Sequence, residues 1–132
     1  MEKIVTALKG RKKSETRLTR NSKLFKTIVE AIHEKKGSEV VSLDLRKIDE
    51  AVADFFILCE AQSHIQVKAI ADNIADKVYQ ICDEKPFYTE QGDQWTLVDY
   101  VNIVVHIFQK EQRSFYNLES LWEDAGRMEH ND

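Results

Sequence analysis

Four histidines, two cysteines and a few carboxylates are the residues of this chain equipped for chemistry, and their spacing does not assemble any. His33, His64, His106 and His130 are scattered without ligand spacing, whereas a metal site needs convergent donors. Cys59 and Cys82 show no C-x-x-C arrangement, and neither has a neighbouring base that would activate a nucleophile. The four glycines, at positions 10, 37, 92 and 126, form no phosphate-loop pattern. The residue types therefore predict no catalytic centre, no metal and no cofactor. What the chain concentrates instead is recognition chemistry: Arg113, Phe115, Tyr116, Leu118, Leu121 and Trp122 fall within ten residues. Trp, Tyr and Arg dominate interface hot spots, and a packed core edge calls for the same density of aromatics.

Upstream of that cluster, Trp95, Leu97 and Asp99 alternate onto one face of a strand. Two roles fit Trp95: an anchor on an outward face, with Asp99 as a nearby acceptor, or a lid on the core beneath a helix. Arg113 and Tyr116 stand three apart, neighbours if that segment is helical. Arg113 then makes either a structural ion pair with Glu111 or Glu119 or a charged contact with a partner. His106, between Val105 and Ile107, reads as a hydrogen-bonded sheet histidine rather than a catalyst, and Cys59 as a small buried hydrophobe.

Charge is uneven. Residues 1–20 hold seven Lys/Arg against two Asp/Glu, and the rest of the chain holds 12 against 21. A basic arm suits attraction to RNA phosphates or an acidic surface; an acidic body does not suit nucleic acid. The expected organisation is a disordered basic arm over 1–20, one domain over 21–126 and a disordered tail over 127–132. A chain of 132 residues, 42% hydrophobic and 32% charged, is large enough to bury a core of its own. No apolar run approaches the roughly 20 residues of a membrane span. The start, MEKIVTALKGRKKS, lacks the apolar segment of a secretory signal. A cytoplasmic protein with reduced thiols is the expectation.

The elements that would position these residues are readable in order. Leu24, Phe25, Ile28 and Ile32 recur at helical spacing from about Ser22 to Lys36, with Asn21 or Ser22 to cap and Gly37 to stop. EVVSLDL sets Val41, Leu43 and Leu45 on one strand face and Val40, Ser42 and Asp44 on the other. DFFILCE, nearly all apolar, predicts a central strand buried on both faces. Ser63 followed by Gln66 is a capping-box pattern ahead of an apolar stripe ending near Cys82. PFYTE predicts a short strand after Pro86. WTLVDY and NIVVHIF predict a hairpin turning at Tyr100–Asn102, and a helical piece follows. The order requires an α/β fold in two or three layers, a mixed β-sheet flanked by helices.

Leu43–Arg46 (LDLR), Asp54–Asp72 and Trp95–Trp122, with the spacing of Trp95, Asp99, His106, Phe108, Glu111, Arg113, Tyr116, Leu118, Glu119 and Trp122, resemble the Iojap family, also called ribosomal silencing factors, across residues 22–125. The resemblance implies a nucleotidyltransferase-like sandwich without the catalytic site. It implies a repressor of translation that binds the large ribosomal subunit through its fourteenth protein and blocks joining of the small subunit, with homodimers in some members. The face of Trp95 would carry partner contacts, which assigns Trp95, Leu97, Asp99, Tyr100, Arg113, Tyr116, Leu118 and Trp122 to the binding surface, and the basic arm would reach adjacent rRNA. The family usually has Ser-Gly where Glu60-Ala61 stands and Gly-Asp where Val101-Asn102 stands. Loss of that glycine predicts either negative φ through the hairpin turn or Asn102 in the left-handed region. A generic protein-interaction module and a degenerate nucleotide binder are the competing readings. The latter is weakened because Asp44-Leu45-Arg46 puts a cation where a second metal-binding carboxylate would be needed.

Overall fold

The computed structural model describes residues 19–131 apart from positions 21, 49, 50, 93, 122 and 124. Nearly all of the basic arm lies outside the described residues. The first helix, α1, spans Lys23–Glu34. It starts where the Ser22 hydroxyl accepts the Phe25 N–H at 3.2 Å, and it buries Leu24, Phe25, Ile28, Ala31 and Ile32. Its stop differs from the simple glycine cap expected. Gly37 N–H donates to the Ile32 carbonyl and Lys36 N–H to that of His33, both at 3.0 Å, which is the paired hydrogen bonding of a Schellman motif. Lys36 occupies the left-handed position with φ 65°. Gly37 follows it and is required for space, because a Cβ there would overlap Ile32 Cγ2.

After α1 come β1 (Ser38–Asp44), β2 (Phe55–Ala61), α2 (His64–Cys82), β3 (Tyr88–Gln91), β4 (Trp95–Asp99), β5 (Ile103–Gln109), α3 (Lys110–Tyr116), α4 (Leu118–Leu121) and β6 (Gly126–Glu129). The strands form one sheet in the order β3-β4-β5-β2-β1-β6. β2 and β5 are parallel, from Phe55 opposite Ile103 to Ala61 opposite Gln109. Every other pairing is antiparallel, so the sheet is mixed, as the element order required.

Alternation along the strands separates two cores. One face carries Phe55, Ile57, Cys59, Val105 and Ile107 against Phe25, Ile28 and Ile32 of α1 and Val67, Ile70 and Ile74 of α2. The other carries Val41, Leu43, Phe56, Leu58, Trp95, Leu97, Val104 and Phe108 with Leu45, Ala51 and Ala53 of the β1–β2 connection and Leu118 of α4. The capping box at α2 is shifted by one residue. The Ser63 hydroxyl accepts the Gln66 N–H at 3.2 Å, but the Gln66 side chain accepts from Gln62 N–H at 2.6 Å.

Two expectations are corrected. The segment 127–132, read as a disordered tail, supplies most of β6, which pairs with β1 from Val41–Glu129 to Asp44–Gly126. Arg20, assigned to the arm, belongs to the fold. Its Nε donates to the Ser42 hydroxyl at 2.8 Å and its Nη2 to the Gly126 carbonyl at 2.7 Å, tying the chain start to β6.

The hairpin turn also departs from expectation. Val101, and not Asn102, takes the left-handed conformation, with φ 72°. Asn102 N–H reaches the Tyr100 carbonyl at 2.9 Å, closing a three-residue turn of the strained γ type. The Asp99 carboxylate accepts the Val101 N–H at 2.7 Å and holds it. A β-branched residue at this φ costs on the order of 1–3 kcal/mol. Glycine relieves the strain but loses some unfolded-state advantage, so Val101→Gly is expected to stabilise the chain by about 1 kcal/mol in urea unfolding. Equal or lower stability would show that the turn carries no such strain.

Candidate functional site

Cross-strand registry arranges the candidate residues in rows across the second face of the sheet. Glu60, Phe108 and Trp95 make one row, Val41, Leu58, His106 and Leu97 the next, and Leu43, Phe56, Val104 and Asp99 the third. The Trp95 and Phe108 rings stack with centroids 5.8 Å apart and planes within 8°. Direct cross-strand aromatic pairs of this sort stabilise antiparallel neighbours.

The face is covered rather than open. Trp95 is 6% exposed, Leu97 1%, Asp99 0%, Arg113 8% and Leu118 1%, while Tyr100, 5% exposed, belongs to the core on the opposite face. Of the two roles open to Trp95, the structure places it as part of the core. The side chain of Tyr116 and all of Trp122 lie outside the described residues. The structure thus brings Trp95, Leu97 and Asp99 together on β4, with Tyr100 just beyond, and sets Leu118 against the same core.

Arg113 is a structural cation. Its Nη1 lies 3.6 Å from the Glu60 carboxylate and donates to the Glu39 carbonyl. The expected partners, Glu111 and Glu119, lie two and six residues away in sequence, and the side chain of Glu119 is outside the described residues; Glu60 comes from the end of β2 and reaches α3 through the sheet. Glu60 stands where the resemblance noted in the sequence leads one to expect serine, a departure that pointed to a turn rather than an ion pair. Glu39, at φ 49°, sits where the β1–β2 register shifts. Arg113 therefore fastens α3 to two strand ends at once.

His106 is the residue that the sequence misjudged. It is fully buried, its ring 4.6 Å from that of Phe56 and 6.1 Å from Trp95. Neither ring nitrogen has a hydrogen-bond partner among the described residues. Its row neighbours are Leu58 and Leu97, which offer no acceptor, so the histidine is a sheet residue but not a satisfied one. Burial drives its pKa down to about 3, and the imidazole is neutral in the folded chain.

Reaction chemistry finds little to use. Arg46 donates to Asp44 at 2.7 Å and holds that carboxyl below its usual range. Asp54 accepts from the Asn102 side-chain amide at 3.0 Å, and Asp99 serves the turn. Burial pushes the Cys59 thiol up to about 12, far from thiolate. Among the described residues no three His, Cys, Asp or Glu converge as metal ligands. A pocket of about 220 Å³ between α2 and the β3–β4 turn is lined by His64, Lys68, Gln91 and Thr96, and Lys68 is engaged by Asp72 at 3.0 Å. No helix among the described residues is long and apolar enough to cross a membrane.

Fold and site together define a mixed-sheet α/β sandwich whose distinctive feature is an aromatic, arginine-clamped sheet face. The chain belongs to the family described as ribosomal silencing factor during starvation, whose model matches residues 18–132. It is 37% identical over 110 residues to the ribosomal silencing factor RsfS of Halalkalibacterium halodurans, covering 83% of this chain and 93% of that one. It is 34% identical over 108 residues to the chloroplastic protein Iojap of Zea mays, covering 78% of this chain and 45% of that one. A crystal structure from Chromobacterium violaceum superposes with a TM-score of 0.71 at 28% identity, covering 76% of this chain and 83% of that one. One from Bacillus halodurans gives 0.66 at 38% identity, covering 77% and 95%. The bacterial relative is named for silencing, a regulatory role, rather than for a reaction.

Two stability measurements follow. Because the folded His106 pKa lies below the ordinary 6.5, the unfolded chain binds the extra proton. The stability it contributes is complete above pH 6.5 and falls as pH drops toward 3, by about 1.4 kcal/mol per pH unit. His106→Phe is expected to flatten the loss of stability between about pH 6.5 and 5 in urea melts; identical slopes would exclude a buried neutral histidine. For the clamp, Arg113→Met alone leaves the Glu60 carboxylate poorly compensated and is expected to cost on the order of 3 kcal/mol. Adding Glu60→Gln should recover part of that loss. Additive costs in the double-mutant cycle would mean that the two side chains are not coupled.

Proposed function

We propose that this chain binds the large ribosomal subunit through its fourteenth protein and sterically blocks joining of the small subunit, lowering translation in the cytoplasm. Family membership over residues 18–132 carries the reading, because the family is that of ribosomal silencing factors during starvation. A body of 15.4 kDa on the joining face needs no chemistry to exclude a second particle, which accords with the sparse reaction chemistry of the site.

The contact surface we propose is the β4–β5 side of the molecule together with α3 and α4. We assign direct contact with the partner to Tyr116 and Trp122, whose side chains lie outside the described residues. Trp95, Leu97, Asp99, Tyr100, Arg113 and Leu118 hold that side in shape from within, and they meet the partner only where its approach displaces their cover. The basic arm adds attraction to neighbouring rRNA, a term that weakens with salt. Self-association into a homodimer, as in some members of the family, belongs to the same proposal.

The test is sedimentation of purified subunits with and without the full chain. Co-sedimentation with large but not small subunits, together with a fall in joined ribosomes, is expected. Tyr116→Ala and Trp122→Ala should weaken binding about thirtyfold or more if each is a hot spot, with urea melts run on each variant to separate contact from folding. Unchanged joining at saturating protein would refute the mechanism.

A further inference from the structure

The two ends of the described chain meet at one buried hydroxyl. Ser42, on β1, is fully buried, and its Oγ lies 2.8 Å from Arg20 Nε and 2.7 Å from His130 Nε2. A guanidinium only donates, so Oγ accepts from Arg20. Among the described residues the hydroxyl hydrogen then has one acceptor in reach, His130 Nε2. The relay from Arg20 through Ser42 to His130 therefore requires a neutral imidazole with its proton on Nδ1.

The relay grips β6 at both ends. Arg20 Nη2 donates to the Gly126 carbonyl at 2.7 Å, at the start of the strand. Just past the other end, His130 N–H donates to the Val40 carbonyl at 2.7 Å. Between these points β6 is four residues long and exposed throughout, so little apolar burial holds it on β1. A segment held in this way opens on its own, at lower cost than the whole fold. Protonation acts at the point of attachment. An imidazolium donates from both nitrogens, so the Ser42 hydroxyl would face two donors and lose the acceptor for its own hydrogen inside a buried site.

Charge acts in the same sense. Arg20 reaches the ring from the chain start, and Lys26 and Glu30 of α1 line the same groove as His130. His33, also on α1, is close enough to disfavour a second positive charge. On β1, Asp44 lies 4.0 Å from Arg20 but is bonded to Arg46 at 2.7 Å. The Phe25 ring packs edge-on against the imidazole at 5.3 Å. Burial first, then the charges of Arg20 and His33, hold the imidazole below its ordinary range.

We propose that Arg20, Ser42 and His130 form an acid-sensitive latch, in which protonation of His130 releases β6 and the chain start from β1 while the central sheet stays intact. Once the latch is open, His130 titrates as an ordinary imidazole near 6.5; closed, it resists the proton. The latch is therefore fully closed above about pH 6.5 and loosens as pH falls from there toward the folded value. Its opening equilibrium rises by up to about tenfold per pH unit in that window. Release bares the backbone edge of β1 that β6 covers.

Amide hydrogen exchange read by NMR on the full chain, from about pH 7.5 to 5.5 with intrinsic rates divided out, tests the latch. The opening equilibrium of the His130 amide and the β1–β6 ladder is expected to rise about five- to tenfold more than that of the β2–β5 ladder. Comparison with β2–β5 removes the global loss of stability that His106 brings. The His130 imidazole is expected to titrate below 6.5. His130→Gln keeps an acceptor that does not titrate, and it should abolish the excess opening. Ser42→Ala removes the hydroxyl donor, and it should move the His130 titration toward 6.5 and shrink the excess. Equal responses in the two ladders, a His130 midpoint at or above 6.5, or an excess that survives in His130→Gln would each overturn the latch.

Discussion

Parallel pairing of β2 with β5 is the constraint on which the rest of the molecule depends. Two parallel strands at the middle of a sheet cannot be joined by a tight turn and must be covered on both faces. Phe55, Ile57 and Cys59 look one way and Phe56 and Leu58 the other, all buried. The chain between the two strands must therefore travel the length of the sheet and return. It does so through α2, which covers one face, and then through β3 and β4, which widen the sheet. The other face has no long helix of its own among the described elements, and it is closed by the β1–β2 connection and the short α4. A closure assembled from such pieces needs fastening, and the Arg113 clamp on Glu60 and Glu39 provides it. It also leaves His106 buried among apolar neighbours, with no hydrogen-bond partner among the described residues.

Local signals in the sequence were enough for the elements whose determinants are local. The apolar stripe and serine caps of α1 and α2, the alternation in β1 and the doubly buried β2 all appear where periodicity placed them. The misses share a physical cause, which is dependence on residues far away in sequence. β6 is four residues with glycine, arginine, methionine and glutamate, a pattern with no strand character until β1 lies alongside. Arg113 meets Glu60 because the sheet delivers it, and helix spacing could not show that. Trp95 was readable as either lid or anchor because alternation gives a face without saying what covers it. His106 was expected to be hydrogen-bonded, and only registry revealed two leucines as its neighbours.

Departures from the family pattern became informative once placed. Val101 stands where the family resemblance leads one to expect glycine and takes a positive φ that glycine favours, held by Asp99. The fold imposes the turn, and the side chain bears the strain. Glu60, where the family resemblance leads one to expect serine, is tied to Arg113. Membership of the ribosomal silencing family and a site organised around burial rather than reactivity point in the same direction. In the proposed function the protein's work is to occupy a surface, and its polar side chains hold that surface in shape.

Cryo-electron microscopy of large ribosomal subunits saturated with the full chain addresses this account most directly. It predicts density for one α/β body on the joining face over the fourteenth protein, with the β4–β5 hairpin, α3 and α4 turned toward that protein and β6 turned away. Density elsewhere on the subunit, or a body docked through β6 with the hairpin in solvent, would contradict it.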